Sequence, residues 1–380
     1  MFTPRSATAR HIRFHALRHP DRTALIDGAE AFTYADLDQR IAAAVRLLAV
    51  RGIGHGQIAG IHVRRFCVEW PLVIACQELG IITLSYPPNE SAPEIPHFLD
   101  HFISDRPATS ADGVATHEIS EIDLLAPSAP AIDVLPDLRP EEPIRLLVTS
   151  GTTGTPKLIP LSNHALATRF QRSLWGTGLS PSTRFLMTYP LSVSTCFRVA
   201  HAVAWVGGTV ILKLGQSVIE SIEEHQPTVM VGLPSALRRL LDALPPDFRK
   251  PPSLSMRTLG APVPPPVRRE LLERLATEVV ETYGTNETGV VAEVDERRIA
   301  TVVPGADAEV VDDSGRSLSA GEPGRLRVRT ADMASGYYGA REATARMFTD
   351  GWFYPGDLER FSLSRDHTRR PKSSVRTRPS

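Results

Sequence analysis

The sequence predicts an α/β protein whose mainly parallel sheet carries helices on both faces. Short apolar runs of strand length alternate with segments of helical periodicity, and this alternation occurs on both sides of a proline-rich stretch. Apolar residues make up 42% of the chain and charged residues 22%, so a sizeable core can be buried. At roughly 100–200 residues per domain, the length leaves room for two or three domains.

Thr33 followed by Asp36 reads as a capping box, after which Leu37, Ile41, Val45 and Leu48 mark one helical face until Gly52 stops it. IAGIHV at 58–63 and IITLS at 81–85 read as buried strands, separated by a helical stretch from Val68 to Leu79. The alternation then returns. TVIL at 209–212 and TVMVG at 228–232 flank a short helix; Leu237, Leu240, Leu241 and Leu244 mark another, and Val267, Leu271, Leu272 and Leu275 a third. The stretch 127–143 holds five prolines in 17 residues and is a connector rather than a helix or central strand. Beyond Glu293, short strands near 299–303, 308–311 and 325–329, separated by DDSG and EPG turns, predict a small β subdomain. The segment 359–380 carries seven basic residues and few large apolar ones, so it cannot offset its ordering entropy by burial and reads as a disordered tail.

Lys plus Arg number 42 against 43 Asp plus Glu, a net charge of -1, which leaves no global field to attract nucleic acid or anionic lipid. Cys67, Cys76 and Cys196 give neither a disulfide framework nor a zinc spacing; they read as small buried apolar residues in a reducing cytoplasm. The N-terminal residues lack an apolar export core. The longest apolar stretch, Val199 to Leu212, contains His201 and two glycines, so neither a signal peptide nor a membrane span is expected. His11, His15 and His19 share one helical face, but without an accompanying carboxylate or Cys they read as part of a solvated helix rather than a metal site.

The strongest chemical signal is TSGTTGTPK at 149–157, directly after the apolar run IRLLV. Thr149, Ser150, Thr152, Thr153 and Thr155 supply hydroxyls, Gly151 and Gly154 let backbone N–H groups converge on an anion, and Lys157 adds a compact positive charge. Only four of the 42 basic residues are lysines, and a Lys here fits a loop that meets a polyphosphate as a point charge. The loop lacks the Walker A spacing, and LIPLS after it continues as strand, so a P-loop phosphotransferase is disfavoured.

From this loop onward the chain resembles the adenylate-forming (AMP-binding) superfamily of acyl-CoA synthetases, adenylation domains and luciferases. The resemblance runs in register through HPDRTALIDGAEAFTYADL near the start, LGAPVPP at 259–265, TYGTNETG at 282–289, GYYGAREAT at 336–344 and GWFYPGDL at 351–358. It implies a large N-terminal domain of two sheet-and-helix subdomains plus a small β subdomain, with the small C-terminal domain of the family absent. The division expected is an α/β adenylation core over 1–298, the β subdomain over 299–358 and the tail over 359–380.

On its own chemistry, Gly260 admits a flat ring to the backbone beside Ala261 and Pro262, Tyr283 offers a face for a purine, and Gly284 allows close approach. The resemblance assigns Glu281, Thr282, Tyr283, Gly284, Thr285 and Asn286 to an adenosine and α-phosphate pocket. It gives Glu287 and Thr149 to Mg²⁺, Asp357 to the ribose of ATP, and catalytic roles to Lys157 and Glu287. Taken alone, Glu287 reads instead as a helix-start carboxylate beside an Arg, and Asp357 as a turn residue.

The implied reaction is ATP-dependent activation of a carboxylic acid to an acyl-adenylate, followed by transfer to CoA or to a phosphopantetheine carrier protein. Lys372, in RRPKSSV, does not match the family's catalytic-Lys motif in the C-terminal domain. Adenylation is therefore expected to be weak, and thioester formation weaker, unless a separate polypeptide supplies that domain; the alternative is an inactive nucleotide-binding or interaction module. In TYPLSVST at 188–195, Pro190 stands where amino-acid-activating relatives carry an Asp, and an unpaired ammonium there would cost several kcal/mol. A fatty or aryl acid is the expected substrate.

Overall fold

The computed structural model describes residues 6–90, 93–108, 112–125, 137–149, 156–174, 178–212, 217–319 and 322–356, and the backbone of 362–364. Its largest sheet runs Glu30–Thr33, Thr23–Asp27, Thr209–Leu212, Arg184–Met187, Val229–Gly232, Ser255–Thr258, Glu278–Thr285, Gly289–Val294, Ile299–Val302 and Ser362–Ser364. The six strands from Thr23–Asp27 to Glu278–Thr285 are parallel neighbours. A six-stranded sheet runs Ala115–Glu118, His101–Ser104, Ile58–His62, Ile82–Ser85, Pro143–Val148 and Leu158–Ser162, parallel except for the last hairpin. Ala306–Val311, Arg325–Thr330, Trp352–Phe353 and Phe348–Thr349 form a small antiparallel sheet. The expected mainly parallel α/β architecture is therefore present in two sheets, with a small β unit beside them.

Two helices explain how the sheets share one core. Thr33 and Asp36 form the capping box, and helix Tyr34–Val50 buries Leu37, Ile41, Val45 and Leu48 before Gly52. Every residue of helix Phe66–Leu79 is buried, the signature of a helix covered on all sides. Pro71 inside this helix cannot donate to the carbonyl four residues earlier, that of Cys67, and Arg40 Nη1 donates there instead at 3.4 Å. The main hydrophobic cluster runs from Leu25, Phe185 and Val210 of the large sheet through this helix to Ile61 and Ile144 of the second and Val328 of the third. The three cysteines are buried, as expected.

Some expectations change. The strand expected at 299–303 in the β subdomain forms as Ile299–Val302 but pairs with Gly289–Val294, because the short DER turn folds it back onto the large sheet. Three residues of the expected disordered tail, Ser362–Ser364, extend that sheet by parallel pairing with Ile299–Thr301. The helix Ala7–Arg18 is not simply solvated: it packs on helix Ser194–Val206, where His11 stacks on Trp205 and buried His15 bonds to the Trp205 carbonyl at 3.0 Å. Most of the connector lies outside the described residues, and the chain resumes strand structure at Pro143.

His201 has a pH consequence. Its ring is fully buried between Phe170 and Phe197, Nδ1 bonds the Phe197 carbonyl at 2.8 Å, and burial pushes its pKa down to about 3. The folded value lies below the unfolded one of about 6.5, so as pH falls the unfolded chain takes up this proton first. Stability from this residue is complete above pH 6.5 and falls by ~3 kcal/mol by pH 4.5. Urea midpoints measured over that range should be flatter for His201→Phe than for the parent chain.

Candidate functional site

The loop read as a phosphate cradle is the tip of a hairpin. Apolar Pro143–Val148 and Leu158–Ser162 pair antiparallel, and the base is closed twice: Thr149 N–H donates to the Lys157 carbonyl at 2.9 Å, and Lys157 N–H to Thr149 Oγ1 at 3.0 Å. Arg145, buried in the first strand, ties the hairpin to the TYPLSVST segment by donating to the Leu191 carbonyl at 2.8 Å and covering the Phe197 ring. Ser150, Gly151, Thr152, Thr153, Gly154 and Thr155 lie outside the described residues, as does Asp357.

TYGTNETG forms the end of strand Glu278–Thr285 and the turn into Gly289–Val294. Gly284 is required here by the chain itself: a Cβ would sit 2.1 Å from the Gly289 carbonyl oxygen, so its missing side chain admits the neighbouring strand. Thr285 and Thr288 bond across the turn through their hydroxyls and backbone N–H groups. Thr282 Oγ1 donates to the Thr258 carbonyl at 3.4 Å, and half-buried Tyr283 packs on Ala292, Val294 and Ala300. Glu287 is buried in this turn between two strands; it is not at a helix start.

Three distant segments meet at the turn. Asn286 Nδ2 donates to the Val148 carbonyl at 3.4 Å, beside Thr149, while Ala334 N–H donates to the Glu287 carbonyl at 2.8 Å and Tyr338 N–H to the Leu158 carbonyl at 2.8 Å. Tyr337, between these last contacts, donates from Oη to Glu287 Oε1 at 2.8 Å and presents its ring 5.1 Å from Lys157 Nζ. Burial and the Glu287 carboxylate push the Tyr337 pKa up, so its hydroxyl keeps the proton that it donates. Lys157 and Glu287, 130 positions apart in the sequence, thus sit against one tyrosine.

The LGAPVPP loop comes from the neighbouring strand Ser255–Thr258. Gly260 has φ +79°, a left-handed conformation that favours glycine, and it is exposed with Ala261 and Pro262. Glu281 holds this loop from behind: Oε2 accepts from Val263 N–H at 3.1 Å, and Oε1 pairs with Arg298. On this geometry its carboxylate is committed to protein partners.

The turn also has a buried charged support that the sequence reading missed. Arg169 and Arg172 of helix Asn163–Leu174 both pair with Asp332. Arg169 Nη2 donates to the Asn286 and Glu287 carbonyls at 3.0 and 3.1 Å, and Arg172 Nη2 to the Val290 carbonyl at 2.7 Å. Two arginines one turn apart in an otherwise amphipathic helix carry no signal of their target. Tyr337 could have been found, because it stands inside GYYGAREAT. Arg169, Arg172 and Asp332 themselves line a cavity of about 510 Å³, with Thr195, Arg198, Arg257, Thr282 and Val290 also in its wall.

Among the described residues no group of three His, Cys, Asp or Glu side chains gathers as a metal set, and no helix is long and apolar enough to cross a membrane. Mg²⁺ beside a bound nucleotide needs fewer protein ligands. The donor set fits it: among the described residues Glu287 accepts from Tyr337 through Oε1, which leaves Oε2, and Thr149 Oγ1 accepts a single N–H bond.

The family described as AMP-binding enzyme matches residues 12–338. The chain is 29% identical over 365 residues to a feruloyl-CoA synthase of Amycolatopsis sp, covering 89% of this chain and 73% of that protein. O-succinylbenzoate coenzyme A synthetase (MenE) from Bacillus subtilis, solved in complex with AMP, shares the fold with a TM-score of 0.78 at 21% identity, over 93% of this chain and 94% of that one. The N-terminal subdomain of NpsA from Klebsiella oxytoca, in complex with 3-hydroxyanthranilyl-AMSN, also has a TM-score of 0.78, at 18% identity over 93% and 94% of the two chains. With the family model matching residues 12–338 and the fold shared over nearly the whole chain, the chain belongs to the AMP-binding enzyme family of the adenylate-forming superfamily and corresponds to its large N-terminal domain.

Proposed function

We propose that this chain uses ATP to activate a fatty or aryl carboxylic acid as its acyl-adenylate, for transfer to CoA or a carrier-bound phosphopantetheine thiol. The observation that carries the reading is the meeting of Lys157 and Glu287 on Tyr337, beside the base of the hydroxyl-rich hairpin. A substrate carboxylate oxygen attacks the α-phosphorus, the P–O bond to the acid forms, and the bond to pyrophosphate breaks, its electron pair leaving with pyrophosphate. Both reactants are anions, so the site must neutralise charge and hold them in line.

Lys157 would supply a compact cation to the phosphates, together with the hydroxyl and backbone donors that the sequence provides at 149–155. Thr149 and Glu287 would hold Mg²⁺, which offsets phosphate charge when bound. Tyr337 keeps Glu287 oriented. Tyr283 and the Gly260–Pro262 loop receive the adenine, and Asp357 the ribose. An amino acid fits poorly: Pro190 offers no carboxylate, and Arg198 and Arg257 in the cavity wall repel an ammonium.

The test is acid-dependent exchange of labelled pyrophosphate into ATP across a broad acid panel. Exchange with one class of acid supports the reading; tight ATP binding with no exchange for any acid overturns it. Tyr337→Phe keeps a ring for Lys157 but removes the donor to Glu287. It should lower exchange about 10- to 100-fold, as expected for a hydrogen bond to a charged group, whereas Tyr337→Leu should lose more. Equal rates for Tyr337→Phe and the parent would remove Tyr337 from the account.

A further inference from the structure

Five arginines and five carboxylates line the cavity beside the turn, but they are not matched one to one. Arg169 and Arg172 share the single carboxylate of Asp332. Arg198, on helix Ser194–Val206, donates from Nη1 to Ser173 Oγ at 2.5 Å, and among the described residues no carboxylate lies within ion-pair distance of it. Burial, with Arg257, Arg169 and Arg172 nearby and Asp332 offsetting them only in part, brings its pKa down to about 10, which still leaves it charged at neutral pH. Glu278 and Glu293, exposed residues of the same cavity wall, are the carboxylates that act on Arg257. A guanidinium in a cavity wall among like charges is stabilised by an anion in that cavity.

The cavity is continuous with the candidate site. Thr282 and Val290 in its wall flank the TYGTNETG turn, and Arg169 reaches from the wall to the carbonyls of Asn286 and Glu287. Arg257 pairs in register with Val280, two residues before Thr282 on the same face of the strand, so it lies about 7 Å down the sheet from Thr282 at ~3.3 Å per residue. Adipate or terephthalate can bridge that span, placing one carboxylate at the turn and the other among the arginines. A volume of about 510 Å³ is ample for either.

We propose that this cavity holds the far end of the acid, and that Arg198, supported by Arg257, selects an acid bearing a second anionic group, a dicarboxylate or sulfocarboxylate. This rests on the adenylation reading for its first carboxylate, but the selection is tested by binding as well as by turnover. The probes are two matched pairs, hexanoate with adipate and benzoate with terephthalate, titrated calorimetrically into the ATP-loaded full chain and compared in pyrophosphate exchange. The parent should bind the diacid of at least one pair about tenfold or more tightly, the scale of one charge-assisted contact. Arg198→Met should erase that preference while leaving ATP affinity and monoacid binding within about threefold, and Arg198→Lys should restore part of it.

Equal binding within both pairs, a diacid preference that survives Arg198→Met, or no binding of any of the four probes would overturn the inference. Exchange supported by other acids would leave the adenylation reading standing in each of those cases. Diacid binding that responds to Arg198 but drives no exchange would uphold the cavity's selectivity and count against adenylation.

Discussion

Glu287→Gln should reduce acid-dependent pyrophosphate exchange by about a hundredfold or more, close to 3 kcal/mol of transition-state stabilisation. Gln keeps a side-chain oxygen that can accept from Tyr337 Oη, the bond that positions Glu287 at 2.8 Å, so fold and melting temperature should change little. What is lost is the negative charge available to a cation. Lys157→Ala should cause a loss of similar order by a different route, weakening nucleotide affinity together with turnover, because the compact cation beside the Tyr337 ring is gone. Raising Mg²⁺ should recover part of the activity of Glu287→Gln and little of that of Lys157→Ala. Exchange rates of both variants equal to the parent's would mean that the convergence at Tyr337 is structural only.

Asp332→Ala should have the largest effect on stability. Asp332 is 1% exposed and is the carboxylate shared by Arg169 and Arg172, so its removal leaves two guanidinium groups buried with their charge unbalanced. Breaking a buried pair from one side costs about 3–5 kcal/mol, and here two cations lose their partner. Urea unfolding should show the midpoint falling with little change in slope. Asp332→Asn, which retains hydrogen-bond acceptance without charge, should lie between the two. Because Arg169 also holds the Asn286 and Glu287 carbonyls, exchange should fall in both variants even below the temperature at which they unfold. A midpoint unmoved by Asp332→Ala would show that the arginines find other compensation.

The elements legible in the sequence were those set by local chemistry. Thr33 and Asp36 announced a helix start because a capping box is built from residues three apart, and it forms as expected. TVIL and the core of TVMVG became central parallel strands because an apolar run of that length suits a strand covered on both faces. The hairpin around 149–157 was readable from IRLLV and LIPLS flanking a glycine-rich turn. By contrast, the destination of Ile299–Val302 depended on which edge lay open, and a short strand does not encode that. His15 looked like one of a solvated row, but Trp205, 190 residues away, covers it.

The same division holds at the candidate site. By itself the sequence determined the α/β class, the family, and which motifs carry phosphate-binding, aromatic and acidic groups, because backbone conformation and side-chain chemistry are properties of neighbouring residues. Only the tertiary structure decided that Tyr337 joins Lys157 to Glu287, that Gly284 is small for the sake of Gly289, that Glu281 serves the Val263 loop, and that Asp332 holds two arginines under the turn. Apart from the Gly284–Gly289 approach across one turn, those contacts join residues far apart in the sequence. Their partners are chosen by packing and by the high cost of leaving a buried charge or donor unmatched, which operates only once the chain has folded.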